Sequence, residues 1–292
     1  MELYRRAKGD APATASEARR TTNSAPLDTN GLDLTSADPV FVDYTVTDDD
    51  VKAVGPVPEA IPEKAKLKTL AYKTAAEGVA EKFHTDADFL AELNPGKTND
   101  LKAGDIVTVP NVEPFDLSAV KSITPGSETT PQAANDVDDS DASIPDTKKD
   151  SAAKEPPLTI SVKVDTKTNM LTVYDADRLI AAYPVTIGSG QTESPIGDWK
   201  VKGVAKMPNF RYDKAMLNKG ERSKDFHMLP PGPNNPVGVI WIALNKKGIG
   251  LHGTNDPDSI GRSASHGCIR LANWDIVRLA AKIKFGVPVS IH

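Results

Sequence analysis

From residue 158 to residue 292 the chain is written in short runs that alternate apolar and polar residues, cut by glycine, proline and asparagine. Ile160-Ser161-Val162-Lys163-Val164 and Met170-Leu171-Thr172-Val173-Tyr174 both repeat with a period of two. In a strand that period sends alternate side chains to opposite faces. Thr166-Lys167-Thr168-Asn169 between them suits a hairpin turn. Residues 179–187, 199–204 and 237–244 read as further strands, and Pro230-Pro231-Gly232-Pro233-Asn234-Asn235-Pro236 is the densest break. Asn273 is placed to cap a helix over 274–283, with Ile276, Val277, Ala280 and Ile283 on one face. Val287-Pro288-Val289-Ser290-Ile291 reads as a closing strand at a sheet edge, because proline has no N–H to give a neighbour. Many short strands with one or two helices predict a mainly β domain, sandwich or barrel-like, over 158–292.

The rest of the chain is different material. Residues 158–292 carry a net charge of +7 and the remainder −12, which together give the −5 of the whole. A basic half behind an acidic half is not one uniform domain. Residues 1–39 are rich in Ala, Thr, Ser, Asn and Asp and predict disorder, since they cannot bury enough surface to offset chain entropy. Residues 40–65, with Pro56, Pro58 and Pro62, read as an extended linker. Residues 66–114 predict a small α+β unit. It has a helix over 75–83 with Val79, Ala80 and Phe83 on one face, then a helix over 86–93 capped by Thr85 with Asp88 at its third position. Asn94-Pro95-Gly96 stops that helix, and a strand follows over 106–109. Residues 115–157, with the acidic run 135–141, read as a linker.

One cysteine excludes an internal disulfide and two-cysteine redox motifs. No run approaches the ~20 apolar residues that span a bilayer. The first 20 residues are polar and charged, unlike an export signal.

The lone thiol stands in Ser265-His266-Gly267-Cys268-Ile269-Arg270-Leu271, sixteen residues after His252-Gly253-Thr254. A thiol attacks as its thiolate and needs a base or a positive charge nearby. His252 follows the apolar Ile249-Gly250-Leu251, which puts it at a strand end. Gly253 leaves room for a second segment, and the loop over 255–264 can bring Cys268 back to His252. Gly267 permits a turn that aims backbone amides at a reacting carbonyl. The carbonyl of Gly253 can hold the second nitrogen of His252, and Arg270 falls on the same side as Cys268 in an extended segment. Its guanidinium suits a carboxylate. These residues also admit an inert core cysteine with two core histidines. A zinc site is disfavoured, because His252, His266 and Cys268 give only three ligands at an unusual spacing.

The pattern "LHGT…SASHGCIRL", with "SPIGDWKV" over 194–201 and "LPPGPNNPVGVIWIAL" over 229–244, resembles the L,D-transpeptidase catalytic-domain family of the YkuD type. The resemblance covers residues 158–292. It implies Cys268 as nucleophile and His252 as base, with Gly253 in the third role through its carbonyl. It implies a pocket shaped by Ser265 and His266, an oxyanion hole at Gly267 and Cys268, and carboxylate recognition by Arg270. The implied reaction forms a thioester with the third residue of a peptidoglycan tetrapeptide stem, releases D-alanine, and passes the acyl group to an acceptor amine. That acceptor is a second stem, giving a 3-3 crosslink, or a wall-anchored lipoprotein. Water in its place gives a carboxypeptidase. The resemblance implies a periplasmic or cell-wall location, no metal or organic cofactor and no nucleic-acid partner. Separately, "LKAGDIVTVP" over 101–110, after two helices, resembles the second half of a LysM glycan-binding module, with Tyr72-Lys73-Thr74-Ala75-Ala76 where such modules carry their opening turn.

Overall fold

The computed structural model describes residues 39–124, 136–137, 159–188, 194–219, 222–261, 263–265 and 267–292. All but the last residue of the expected disorder over 1–39, and most of the expected acidic linker, lie outside these residues. Among the described residues, no helix is long and apolar enough to cross a membrane.

In chain order the first unit contains β1 (Phe41–Thr45), α1 (Asp48–Lys52), α2 (Ile61–Lys64), α3 (Ala75–Lys82), α4 (Ala87–Leu93) and β2 (Ile106–Pro110). Strands β1 and β2 pair antiparallel, from Phe41 opposite Pro110 to Thr45 opposite Ile106. Residues 40–65 are therefore not a linker. The segment supplies one of the unit's two strands and two of its helices. The Tyr72 stretch does not open the unit either, since the strand that does so lies about thirty residues earlier. Thr74 caps α3 by accepting a hydrogen bond from the Glu77 amide at 3.1 Å. Asp86, not Thr85, caps α4, accepting from the Phe89 amide at 2.7 Å. Val79, Leu90, Val107 and Val109 close a separate core between these elements.

The second unit contains β4 (Ile160–Asp165), β5 (Met170–Asp175), β6 (Arg178–Pro184), β7 (Ile187–Gly188), β8 (Gly197–Lys206), β9 (Asn209–Tyr212), α5 (Lys214–Lys219), β10 (His227–Leu229), β11 (Ile240–Leu244), β12 (Gly250–His252), β13 (Ser263–Ser265), β14 (Ile269–Arg270), α6 (Asn273–Lys282) and β15 (Pro288–Ile291). A short β3 (Asp136–Val137) joins β9 in parallel. Eight strands form one mixed sheet in the order β14-β12-β11-β8-β15-β4-β5-β6. The expected mainly β, barrel-like class is what is seen. The alternating residues Val162, Val164, Leu171 and Val173 turn inward into the core that Ile276 and Leu279 of α6 also enter. Burial of such side chains stabilises by roughly 1.5–3 kcal/mol each.

Two expectations fail here for physical reasons. β15 is not an edge strand, because it lies between β8 and β4. Pro288 is its first residue, paired with Lys200, so the missing N–H falls where the ladder begins. The linker expected from residue 115 starts later. Phe115 donates its amide to the Lys82 carbonyl at 2.7 Å, and Phe115 and Val120 are buried in the core of the second unit.

Candidate active site

The site begins with the pairing of β12 and β14. They run parallel, with Leu251 opposite Ile269 and His252 opposite Arg270. Apolar Leu251, Ile269 and Leu271 are fully buried and lock this edge of the sheet to the core. The main chain of Arg270 is gripped from both sides. Thr186 exchanges two 2.9 Å backbone bonds with it, and the Leu271 amide donates to the His252 carbonyl at 2.8 Å. His252 and Arg270, brought together this way, are eighteen apart in sequence.

His252 ends β12 and is only 4% exposed. Its Nδ1 lies 2.6 Å from the Gly253 carbonyl. A carbonyl only accepts, so Nδ1 carries the hydrogen and Nε2 of the neutral ring is left as an acceptor. The indole of Trp241, its cross-strand partner, stacks on the ring with centroids 5.2 Å apart. Burial pushes the imidazole down to about 3, against the pull of the Gly253 bond and with help from the charge of Arg270. His252 is thus held neutral, in one tautomer and one orientation.

Cys268 is half-buried, and its thiol points to the Gly248 carbonyl at 3.5 Å. Gly267 before it has φ of 101°, a backbone state that favours glycine. The half-buried Arg270 is held below its usual range by burial, while Cys268 and Asp256 act on it electrostatically in the opposite sense. Cys268 and Arg270 therefore share one neighbourhood. β13 pairs in parallel with β7, which sets the main chain of Ser265 beside Gly188. The side chain of Ser265 and the whole of His266 lie outside the described residues.

Sequence reasoning missed two residues. Trp241 reads only as a strand residue in a strand-rich stretch. Asn273 reads as a helix cap, but Ala272 occupies that position and no side chain caps α6. The Asn273 side chain instead accepts from the Val239 amide at 3.1 Å and donates to Glu81 in the first unit at 2.8 Å. No local pattern signals a contact across 192 positions.

The mixed sheet thus carries His252 at the end of β12 and Cys268 just before β14, its parallel neighbour. The model of the L,D-transpeptidase catalytic domain, YkuD, matches residues 159–291. A putative L,D-transpeptidase YqjB of Bacillus subtilis is 33% identical over 135 residues, 44% of this chain and 69% of that protein. The chain belongs to the L,D-transpeptidase family. A putative L,D-transpeptidase YkuD of Bacillus licheniformis is 34% identical over 135 residues, 46% of this chain and 66% of that protein, so the match spans just under two thirds of that relative. A crystal structure of L,D-transpeptidase 3 from Mycobacterium tuberculosis is 15% identical with a TM-score of 0.38, covering 46% of this chain and 61% of that one.

Proposed function

We propose that the chain is a peptidoglycan L,D-transpeptidase in which Cys268 is the nucleophile and His252 the base. The observation that carries this reading is the His252 ring, buried and neutral with Nδ1 on the Gly253 carbonyl, in register with the strand that follows Cys268. Paired residues of parallel strands share a face, and Cys268, two before Arg270, returns toward that face.

In the first step His252 Nε2 takes the thiol proton and Sγ bonds to the carbonyl carbon of the stem's third residue. The C–N bond to the terminal D-alanine breaks, and the imidazolium returns the proton to the leaving amine. Backbone amides at the Gly267 turn receive the oxyanion, and Arg270 offers its charge to the thiolate and to a substrate carboxylate. In the second step an acceptor amine attacks the thioester, a C–N bond forms and the C–S bond breaks, while His252 passes the proton lost by the amine to the departing Cys268 sulfur. The acceptor is a second stem or a wall-anchored lipoprotein. Ser265 and His266 shape the pocket. Such a substrate is extracytoplasmic, so the protein acts in the periplasm or cell wall. The first unit is LysM-like, a reading supported by the antiparallel pairing of its first and last strands, with α3 and α4 among the helices between them.

Incubation with a disaccharide-tetrapeptide, followed by intact-protein mass spectrometry, tests the reading. The expected result is a thioester adduct on Cys268 with free D-alanine, both abolished in Cys268→Ala. Unchanged mass and no D-alanine from the wild-type protein would sink it. Cleavage of ordinary L-peptides would instead mark a general Cys–His hydrolase.

A further inference from the structure

The first unit does more than sit beside the catalytic domain. Its α3 presents Glu81, 7% exposed, to the start of α6. Glu81 Oε1 accepts from Asn273 Nδ2 at 2.8 Å, and Oε2 accepts from the Tyr72 hydroxyl. Asn273 has a fixed orientation. Its Oδ1 faces the Val239 amide, which only donates, and its Nδ2 faces Glu81 and the Pro233 carbonyl at 3.3 Å, which accept.

The same Oδ1 is packed into the backbone that carries the site. A Cβ on Gly253 would stand 2.2 Å from it, and a Cβ on Gly238 would stand 2.1 Å from it. Both positions lack a side chain where this oxygen needs the space. The Gly253 peptide is therefore pinned on three sides. Its amide donates to Ile240 at 3.1 Å, its α-carbon rests against Asn273, and its carbonyl takes His252 Nδ1 at 2.6 Å. A continuous path of contacts runs from Glu81 through Asn273 and Gly253 to His252.

We propose that Glu81 is a positioning residue for the acyl-transfer site, fixing Asn273 and through it the Gly253 carbonyl that orients His252. This rests on His252 acting as the base. The consequence is that the first unit completes the site from behind, without touching substrate. Loss of Glu81 frees the Asn273 amide to rotate, loosens the Gly253 peptide, and lets His252 leave its productive orientation. A misplacement of about 1 Å in such a site costs on the order of a hundredfold in rate.

The test uses the full chain and a carbapenem as acylating probe, with adduct formation on Cys268 followed by mass. A concentration series gives the limiting rate and the half-saturating concentration separately. Alkylation of Cys268 by iodoacetamide across pH reports the His252–Cys268 pair. Glu81→Met keeps the packing and removes the acceptor. It is expected to slow the limiting rate ten- to a hundredfold, to leave half-saturation within about twofold, and to shift the alkylation midpoint. Glu81→Gln keeps the acceptor for Asn273 and is expected to return the rate to within about threefold of wild type. Glu77→Ala removes a different docking bond, the 3.0 Å contact with Asn234, and is expected to leave the limiting rate within about threefold. The proposal is overturned if folded Glu81→Met has the wild-type rate and midpoint, or if Glu77→Ala slows the reaction as much. Should Glu81→Met lack a cooperative melt, Asn273→Ala decides by the same two readouts. No adduct on the wild-type protein overturns the proposed function instead.

Discussion

The two units bury different things. The catalytic domain closes on aliphatic side chains, with Val162, Leu171, Ile242, Leu251 and Leu279 all essentially inaccessible. The first unit has a much smaller apolar core and buries charge beside it. Asp50 is held by Lys82, Tyr44 and Thr47, and Glu81 by Tyr72 and Asn273. Buried carboxylates are costly unless every lone pair is met. For Asp50 the partners belong to its own unit. For Glu81 one of them comes from the other unit. The difference teaches that the first unit is finished only when docked, whereas the sheet domain draws its stability from an apolar interior of its own.

The largest expected effect comes from breaking the dock without touching either core. Gly232, in the proline-rich segment, has φ of 147° and lies against the Leu70 backbone. A Cβ there would stand 2.1 Å from the Leu70 carbonyl oxygen. Leu70 is 0% exposed, donates its amide to Pro231 at 2.8 Å, and accepts from the Asn234 amide at 3.1 Å. Gly232→Ala should cost the dock roughly 3–5 kcal/mol through overlap and backbone strain. Hydrogen exchange at the Leu70 amide should then accelerate by about two to four orders of magnitude, while amides of β4 and β5 keep their protection. Protection at Leu70 equal to wild type would show that the units are not joined as described.

A smaller effect separates the units by the sign of their pH response. Burial raises Glu81 to about 7 from 4.5, against the Tyr72 and Asn273 bonds and with a contribution from Glu77. A carboxyl raised in the folded state contributes stability that is full below the unfolded value and is lost as pH rises through about 7. His252, lowered to about 3 from 6.5, works the other way. Its contribution is full above 6.5 and fades as pH falls toward 3. Asp275, raised to about 7 by burial, and His84, lowered to about 4, overlap these windows. The Glu81 share is therefore isolated as a difference between variants. Urea unfolding of Glu81→Gln against wild type should show near-equality at pH 4.5. By pH 7.5 the variant should lead by about 3 kcal/mol. A pH-independent difference would refute the buried, raised carboxyl.

The comparison also explains what could be read from the chain. Period-two runs placed β4 and β5 within a residue of their observed ends, because one side of each strand faces an apolar core. The "HGT" and "SHGC" stretches brought His252 and Cys268 forward as candidates, and the structure places the first at a strand end and the second after the Gly267 turn. The edge position given to β15 and the cap given to Asn273 were local inferences about residues whose surroundings are distant. Pro288 sits harmlessly at a strand start, and the Asn273 amide is claimed by Val239 and Glu81. β1 was missed because Phe41-Val42-Asp43-Tyr44-Thr45 is a short stretch whose strand partner, β2, lies some sixty residues on. Such polar and long-range contacts carry no periodic signature.

The smallest effect marks the limit of the contrast. Arg278, on α6, also reaches the first unit's end, pairing with Glu113 at 3.5 Å. It too is long-range, across 165 residues against 192 for the Glu81–Asn273 bond, and joins opposite charges rather than a carboxylate and an amide. Yet Glu113 is exposed over 86% of its side chain, so water screens the pair and both side chains lose freedom by making it. Arg278→Ala should therefore shift stability by about 0.5 kcal/mol or less and leave Cys268 acylation unchanged. Urea unfolding and the carbapenem assay on one preparation check both parts. A loss above about 2 kcal/mol would mean that surface charge, rather than the buried Glu81–Asn273 bond, ties the two units together.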